Sequence, residues 1–163
     1  MGSDVEIRVV GGSGSFDTAN FLDRAFTVNA IWATGLRDMV RQVLAQLHPG
    51  DRITRLDIHD HGGPGLQRIG KDDLTNAGMT HRPGRALAAL RPYFAPGAVV
   101  TLHGCRVGQG RALLQSLSSV LGGVTVRAGL SYQLSPFPGP LGAERACVRL
   151  KCTLTGTSVA GNT

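Results

Sequence analysis

The feature that most constrains the fold is a strand–turn–helix pattern between residues 98 and 121. Residues 98–102 (Ala-Val-Val-Thr-Leu) are apolar, β-branched and too few for a helix, which predicts a buried strand. His103-Gly104-Cys105 follows as a turn, and residues 111–121 carry apolar side chains at the spacing of one helical face. Cys105 is therefore predicted to lie where a strand ends and a helix is about to begin, which is where open α/β sheets bind ligands.

The rest of the chain alternates predicted strands with predicted helices, a pattern that favours a parallel sheet. Further strands are predicted at 5–10, 53–58 and 124–128, helices at 34–48 and 83–93, a short helix start at 71–74, a long loop with one helical turn at 16–34, and a closing strand at 146–154 that pairs with 130–134. The predicted fold class is α/β, with a mostly parallel central sheet of about four core strands flanked by helices and a C-terminal β-hairpin or edge strand.

The length of 163 residues predicts one domain, over 4–155, between a remnant of cloning at 1–3 and a frayed tail at 156–163. Apolar residues make up 42% of the chain, which is too many for a disordered protein. No stretch reads as a membrane span or as a signal peptide, so we expect no membrane partner. The expected location is the cytoplasm, or the outside of the cell after secretion without a cleaved signal. Cys105, Cys147 and Cys152 do not make a disulfide framework, and a reduced state is predicted.

The net charge of +6 is distributed unevenly along the chain. Ten of the eleven acidic residues lie at or before Asp73, and residues 74–143 contain six arginines and no acidic residue. A cationic surface attracts anions and lowers the pKa of a nearby thiol. Nucleic-acid binding is not expected, because the chain has no aromatic stacking pattern and no nucleic-acid-binding motif.

Two consecutive predicted strands end in a polar residue beside a glycine, at His61-Gly62 and at Gly104-Cys105. In a parallel sheet both strand ends open at the same edge, so the imidazole should face the thiol. Nucleophilic catalysis by cysteine needs this pair, because the protonated imidazole stabilises the thiolate and later protonates the leaving amine. The backbone N–H groups of Gly62 and Cys105 are candidate donors to an oxyanion.

Other interpretations of the same residues stay open at this point. His59 lies two residues before His61 and is the alternative base, while Asp57 and Asp60 either orient an imidazole or solvate the loop. Cys105 could instead be a small buried residue in a catalytically inactive binding scaffold. A zinc-binding hydrolase is a further alternative, with a four-ligand set of nitrogen and sulfur atoms from His59, His61, His103 and Cys105.

The segments Leu56-Asp-Ile-His-Asp-His-Gly-Gly63 and Val99-Val-Thr-Leu-His-Gly-Cys-Arg-Val-Gly108 resemble the cysteine peptidases of the caspase–haemoglobinase fold. Bacterial caspase-like modules and toxin autoprocessing domains look closest. The shared pattern is strand-His-Gly followed by strand-Gly-Cys, and the histidine lies 44 residues before the cysteine, against about 50 in caspases. The chain lacks the Gln, Ala and following Gly of the caspase signature. The resemblance covers residues 5–128 and implies that His61 is the catalytic histidine and Cys105 the nucleophile.

The resemblance also implies a function, namely a cysteine endopeptidase that cleaves a polypeptide substrate as a bacterial effector or autoprocessing module. An inhibitor or an activating partner protein would control it. The strand at 124–128 would wall the pocket for the residue before the scissile bond, with His59, His103, Arg106 and Arg127 as candidate substrate-binding residues. The two arginines would favour an acidic residue there. No metal or organic cofactor is expected, but toxin autoprocessing domains bind inositol hexakisphosphate, so an anionic activator such as an inositol polyphosphate is a further expectation.

Overall fold

A computed structural model describes residues 2–12 and 30–130, which form a five-stranded parallel sheet, a three-stranded antiparallel sheet and three α-helices. The parallel sheet has the order β2-β1-β3-β7-β8, with β1 at Asp4–Gly11, β2 at Ile31–Ala33, β3 at Arg52–His59, β7 at Phe94–His103 and β8 at Thr125–Ala128. The antiparallel sheet has the order β4-β5-β6, with strands at Gly62–Gly63, Leu66–Ile69 and Asp72–Thr75. The helices are α1 at Leu36–Gln46, α2 at Arg82–Ala88 and α3 at Arg111–Val120, and short 3-10 turns lie at Ala77–Thr80, Arg91–Tyr93 and Val107–Gln109.

The order of the strands places all three helices on one face of the parallel sheet. From β2 onward the chain moves in one direction across the sheet, past β1 to β3, then to β7 and β8, with one helix in each connection. Connections between parallel strands are right-handed, so connections that advance in the same direction lie on the same face. The apolar stripe of each helix therefore packs against the same side of the sheet.

The hydrophobic core lies between this face and the helices. Two rows of register partners cross the sheet there, and all of their side chains are buried: Ile7, Leu56, Val100 and Val126 in one row, and Val9, Ile58, Leu102 and Ala128 in the other. The helices cover them with Met39, Val43, Leu87, Leu113, Leu114 and Leu117, each at most 1% exposed. Burying a large aliphatic side chain contributes about 1.5–3 kcal/mol, so each of these residues adds substantially to the stability of the fold.

The opposite face of the sheet is polar. Because side chains alternate along each strand, the residues between the core positions form another row of register partners, Arg8, Asp57, Thr101 and Arg127. The next row toward the carboxyl ends of the strands is Val10, His59 and His103. Most of the chain's predicted site residues on strands thus lie on the face opposite the three described helices.

The structure confirms the α/β fold class and most of the predicted elements. The strand predicted at 5–10 is β1, those at 53–58, 98–102 and 124–128 are β3, β7 and β8, and the helices at 34–48 and 111–121 are α1 and α3. The helix predicted at 83–93 is shorter, since α2 ends at Ala88 and Arg91–Tyr93 forms a separate 3-10 turn. None of the described helices is long and apolar enough to cross a membrane.

Two sequence predictions were wrong. Residues 71–74 do not start a helix, because Asp72–Thr75 is strand β6, paired with β5 so that Leu74 lies opposite Gln67. Of the loop predicted at 16–34, residues 16–29 lie outside the described residues, but the rest includes strand β2, which pairs with the end of β1 through Ile31 opposite Val9 and raises the number of parallel strands to five. In both segments backbone pairing with a neighbouring strand outweighs a weak local preference. The predicted C-terminal hairpin and tail lie outside the described residues.

Candidate functional site

The two predicted site segments leave the sheet side by side. Strands β3 and β7 are parallel neighbours, and their last residues, His59 and His103, are register partners. His61-Gly62 and Gly104-Cys105 follow these strand ends at the same edge of the sheet. The structure therefore confirms that the two segments meet at the carboxyl edge, as the sequence predicted.

Two glycines form the contact between these segments. A Cβ atom added to Gly62 would lie 2.9 Å from Cα of Gly104 and 2.5 Å from Cγ2 of Val107. A Cβ atom added to Gly104 would lie 3.0 Å from Cα of Gly62 and 2.7 Å from Oε1 of Gln67. Separations below about 3 Å are not compatible with a side chain, so the backbone of the His61 segment touches the backbone of the Cys105 segment only because both positions are glycine.

The two candidate catalytic side chains are both accessible to solvent. His61 is exposed and Cys105 is half-buried, and Cys105 carries a thiol rather than a disulfide. Arg106, directly after the cysteine, adopts a left-handed backbone conformation with φ of 57°, which turns the chain sharply before α3. The N–H of Gly108 then donates to the carbonyl of Gly129 at 2.9 Å and joins this turn to the end of β8.

Asp60 fixes the backbone of the loop that carries His61. Its side chain is buried, Oδ1 accepts a hydrogen bond from the N–H of His61 at 2.7 Å, and Oδ2 accepts one from the N–H of Gly70 at 2.7 Å. The carbonyl of His61 accepts a further bond from the N–H of Arg68 at 2.8 Å, within the small antiparallel sheet. Asp60 therefore does not merely solvate the loop, because it ties the backbone at His61 to the β5–β6 turn.

His59 and His103 stack on the polar face of the sheet, next to the site. Their ring centroids are 4.0 Å apart and the ring planes differ by 2°. Nε2 of His103 lies 3.3 Å from Oδ1 of Asp57, and Nε of Arg55 lies 2.8 Å from Oδ2 of the same carboxylate. Burial acts to raise the pKa of Asp57, but the hydrogen bond and charge of His103, with the charge of Arg55, outweigh it and lower that pKa to about 2.

His59 is a poor candidate for the catalytic base. Its ring is 8% exposed, and burial, followed by the nearby charge of His103, lowers its pKa to about 3. Its buried Nε2 has no hydrogen-bond partner among the described residues. A histidine with this pKa is neutral at physiological pH, and its burial leaves little of its ring accessible to a substrate.

The remaining predicted residues lie around the same edge. Arg106 is half-buried in the turn after Cys105, and Arg127 is exposed on β8, opposite Thr101 of β7. The four-ligand zinc set does not assemble: among residues 2–12 and 30–130, no three His, Cys, Asp or Glu side chains are grouped so that they could hold a metal ion.

The sequence analysis did not predict Gln67 and Val107, whose side chains pack against the glycines of the site. Gln67 is fully buried, and its Nε2 donates to the carbonyl of Arg68 at 3.0 Å and, more weakly, to that of His61 at 3.4 Å. Val107 is fully buried against both glycines. The only signal for Gln67 was an uncharged polar residue at the inward position of the alternating segment Leu66–Ile69, and Val107 gave none.

The family model described as "Domain of unknown function (DUF4347)" matches residues 17–131. This match covers more than half of the chain, so the protein belongs to that family, and both His61 and Cys105 lie within the matched region. Among curated proteins, none matches the chain.

Proposed function

We propose that this protein is a cysteine endopeptidase in which Cys105 is the nucleophile and His61 the general acid and base. The contact between Gly62 and Gly104 carries the proposal, because it holds the histidine segment directly against the cysteine segment at one edge of the sheet. The exposure of His61 and the partial exposure of Cys105 leave both groups accessible to a substrate. The resemblance of the two segments to caspase-like peptidases gives the pair its roles.

In the proposed reaction the Cys105 thiolate attacks the carbonyl carbon of a peptide bond and forms a C–S bond. The carbonyl oxygen becomes an oxyanion, for which the N–H groups of Gly62 and Cys105 are the proposed donors. The C–N bond then breaks, and protonated His61 transfers its proton to the departing amine. The product of this step is a thioester between Cys105 and the N-terminal part of the substrate.

Hydrolysis of the thioester completes the cycle. His61, now neutral, removes a proton from a water molecule that attacks the thioester carbonyl. The C–S bond breaks, the carboxylic acid product leaves and loses its proton to bulk water, and the thiolate of Cys105 is restored beside protonated His61. Asp60 is a positioning residue in this scheme, because its hydrogen bond to the N–H of His61 fixes where the imidazole-bearing backbone lies.

The test is a comparison of three variants of the full chain against a diverse peptide library, with cleavage products identified by mass spectrometry. The reference protein is Cys147→Ser/Cys152→Ser, which retains Cys105 as its single cysteine. Adding Cys105→Ala or His61→Ala should abolish cleavage. In the reference protein, iodoacetamide should label Cys105 faster than it labels a free thiol of ordinary pKa at pH 6.

Two outcomes would contradict the proposal. Equal cleavage by the reference protein and its Cys105→Ala derivative would show that the cysteine is not the nucleophile. If the reference protein cleaves no library member and Cys105 reacts with iodoacetamide no faster than a free thiol, the domain is the inactive scaffold that the sequence left open.

A further inference from the structure

A second feature of the surface lies away from the proposed catalytic pair, in the groove between α1 and α2. This groove has a volume of about 710 Å³ and is lined by four arginines and four apolar residues: Arg37, Arg41, Arg82, Arg85, Val40, Leu44, Ala86 and Ala89. We name it the arginine groove. No acidic side chain lines it.

The lining residues form two stripes with the same spacing. On α1 they fall at 37, 40, 41 and 44, and on α2 and the residue after it at 82, 85, 86 and 89. Both sets follow the pattern i, i+3, i+4, i+7, which is one face of a helix over two turns. Each stripe contains two arginines and two apolar residues, so both helices contribute cationic and apolar side chains to the groove.

Three of the four guanidinium groups have no carboxylate partner in the described part of the chain. Arg41 pairs with Asp38, whereas no ion pair there involves Arg37, Arg82 or Arg85. All four arginines are exposed, and Val40 and Leu44 between them are buried and half-buried. Like charges gathered around one depression repel each other, so an anionic partner would relieve a cost that the isolated domain carries.

The apolar residues of the groove distinguish between the kinds of anion that its arginines could bind. A small polyphosphate would gain from the guanidinium groups but nothing from Leu44, Ala86 or Ala89. A peptide helix with acidic and apolar residues on one face would contact both the arginines and the apolar residues of the groove. Its apolar side chains would recur three or four residues apart, as the lining residues do. The stripe from Arg37 to Leu44 is about 10 Å long at 1.5 Å per residue, which accommodates two turns of such a helix. Residues 131–163 of this chain have three basic residues and one acidic residue, so that segment is not the complement.

We propose that the arginine groove binds an acidic amphipathic helix of a partner protein. The proposal does not rest on the peptidase activity, since the groove lies between two helices of the layer that covers the core and contains none of the proposed catalytic residues. The test is therefore a direct binding measurement with the full chain.

The probe is a fluorescein-labelled 15-residue peptide of Glu, Leu and Ala, with Glu and Leu on one helical face, followed by fluorescence anisotropy. One control peptide replaces each Glu with Gln, and a second replaces each Leu with Ser. We expect saturable binding of the probe, weaker binding of both controls, and a fall in affinity as the NaCl concentration rises to about 0.3 M.

A charge-matched pair of protein variants locates the binding. Arg37→Gln/Arg82→Gln removes one unpaired arginine from each side of the groove and should weaken binding about tenfold or more. Arg52→Gln/Arg111→Gln removes two exposed arginines elsewhere and should change it less than about twofold. Circular dichroism of both variants checks that they fold, which is expected because all four side chains are exposed.

Several results would overturn the proposal. They are the absence of saturable binding, equal binding of the Gln control peptide, or equal loss of binding in the two variants. Two other anionic ligands, a polyphosphate and an anionic membrane, are tested with inositol hexakisphosphate and with phosphatidylcholine vesicles containing phosphatidylserine. If either binds in a manner that requires Arg37 and Arg82 while the peptide does not bind, the groove serves a polyphosphate or a membrane and the peptide proposal is wrong.

Discussion

Replacing Gly62 with alanine places a methyl group into the contact that holds the two site segments together. The new Cβ would lie 2.5 Å from Cγ2 of Val107 and 2.9 Å from Cα of Gly104. Gly62 has no positive φ, so the cost is steric rather than conformational. Forcing a methyl group into a packed region costs about 1–3 kcal/mol, and for a chain of this size each kcal/mol lowers Tm by about 2–4 °C. We expect Tm to fall by roughly 2–12 °C.

The effect on the chemistry should exceed the effect on stability. The methyl group must push the Gly104 backbone away, because the alternative partner, Val107, is fully buried and has little room to move. A displacement of about 1 Å in a catalytic arrangement can lower the rate about 100-fold. We therefore expect kcat/KM for a cleaved library peptide to fall about 100-fold, measured beside thermal melts.

The adjacent glycine supplies the control. A Cβ atom on Gly63 would have nothing within 4 Å, so Gly63→Ala should change Tm and kcat/KM little. Adding Val107→Ala to Gly62→Ala removes the 2.5 Å contact, and the double variant should be more stable than the sum of the two single changes predicts. If Gly62→Ala is as stable and as active as Gly63→Ala, the close contact between the segments does not exist and the main support for the proposed site is lost.

Three further predictions concern stability and the loop at His61. The pKa of His59 is about 3 in the folded chain against about 6.5 unfolded, so its contribution to stability is complete above pH 6.5 and is lost toward pH 3, at up to about 1.4 kcal/mol per pH unit. His59→Phe should therefore flatten the pH dependence of the urea midpoint between pH 6.5 and 4.5. The control is His81→Gln, at an exposed position that makes no ion pair in the described part of the chain, and it should leave that dependence unchanged. Asp60→Ala removes the acceptor for the N–H groups of His61 and Gly70 and should cost about 1–3 kcal/mol in denaturant unfolding together with most cleavage activity, with a smaller loss in Asp60→Asn, which keeps one acceptor oxygen. Ser118→Ala leaves the buried carbonyl of Val124 without its 2.7 Å donor and should lower stability by about 1–3 kcal/mol, whereas Ser119→Ala at the exposed neighbouring position should cost less than about 0.5 kcal/mol in the same thermal melts.

Hydrophobic periodicity was sufficient to predict the central elements of the fold. The alternation in 5–10 and the apolar runs at 53–58 and 98–102 correspond to the three inner strands, whose side chains alternate between the core and the polar face. The order of His61 and Cys105 along the chain, combined with the rule that parallel strands end at one edge, was sufficient to place the two segments together.

Other features depend on register and pairing, which a single sequence does not specify. The stack of His59 on His103 requires that these two residues be register partners, since a shift of one residue would place the rings on opposite faces. The strand Asp72–Thr75 is polar and short, and it exists because β5 pairs with it. The approach of Gly62 to Gly104 is likewise a tertiary contact between residues 42 positions apart, which no local pattern contains.

The segregation of the core to one side of the sheet has a consequence for how such a domain can diversify. Arg8 and Arg127 are exposed on the face opposite the three described helices, so replacing them alters charge and shape at the surface without opening a void among the aliphatic residues. Selection could therefore change what this surface recognises while the thermodynamic stability stays nearly constant. We expect proteins with this arrangement to share the identity of the aliphatic residues in the core rows of the sheet and to differ widely in the residues of the polar rows.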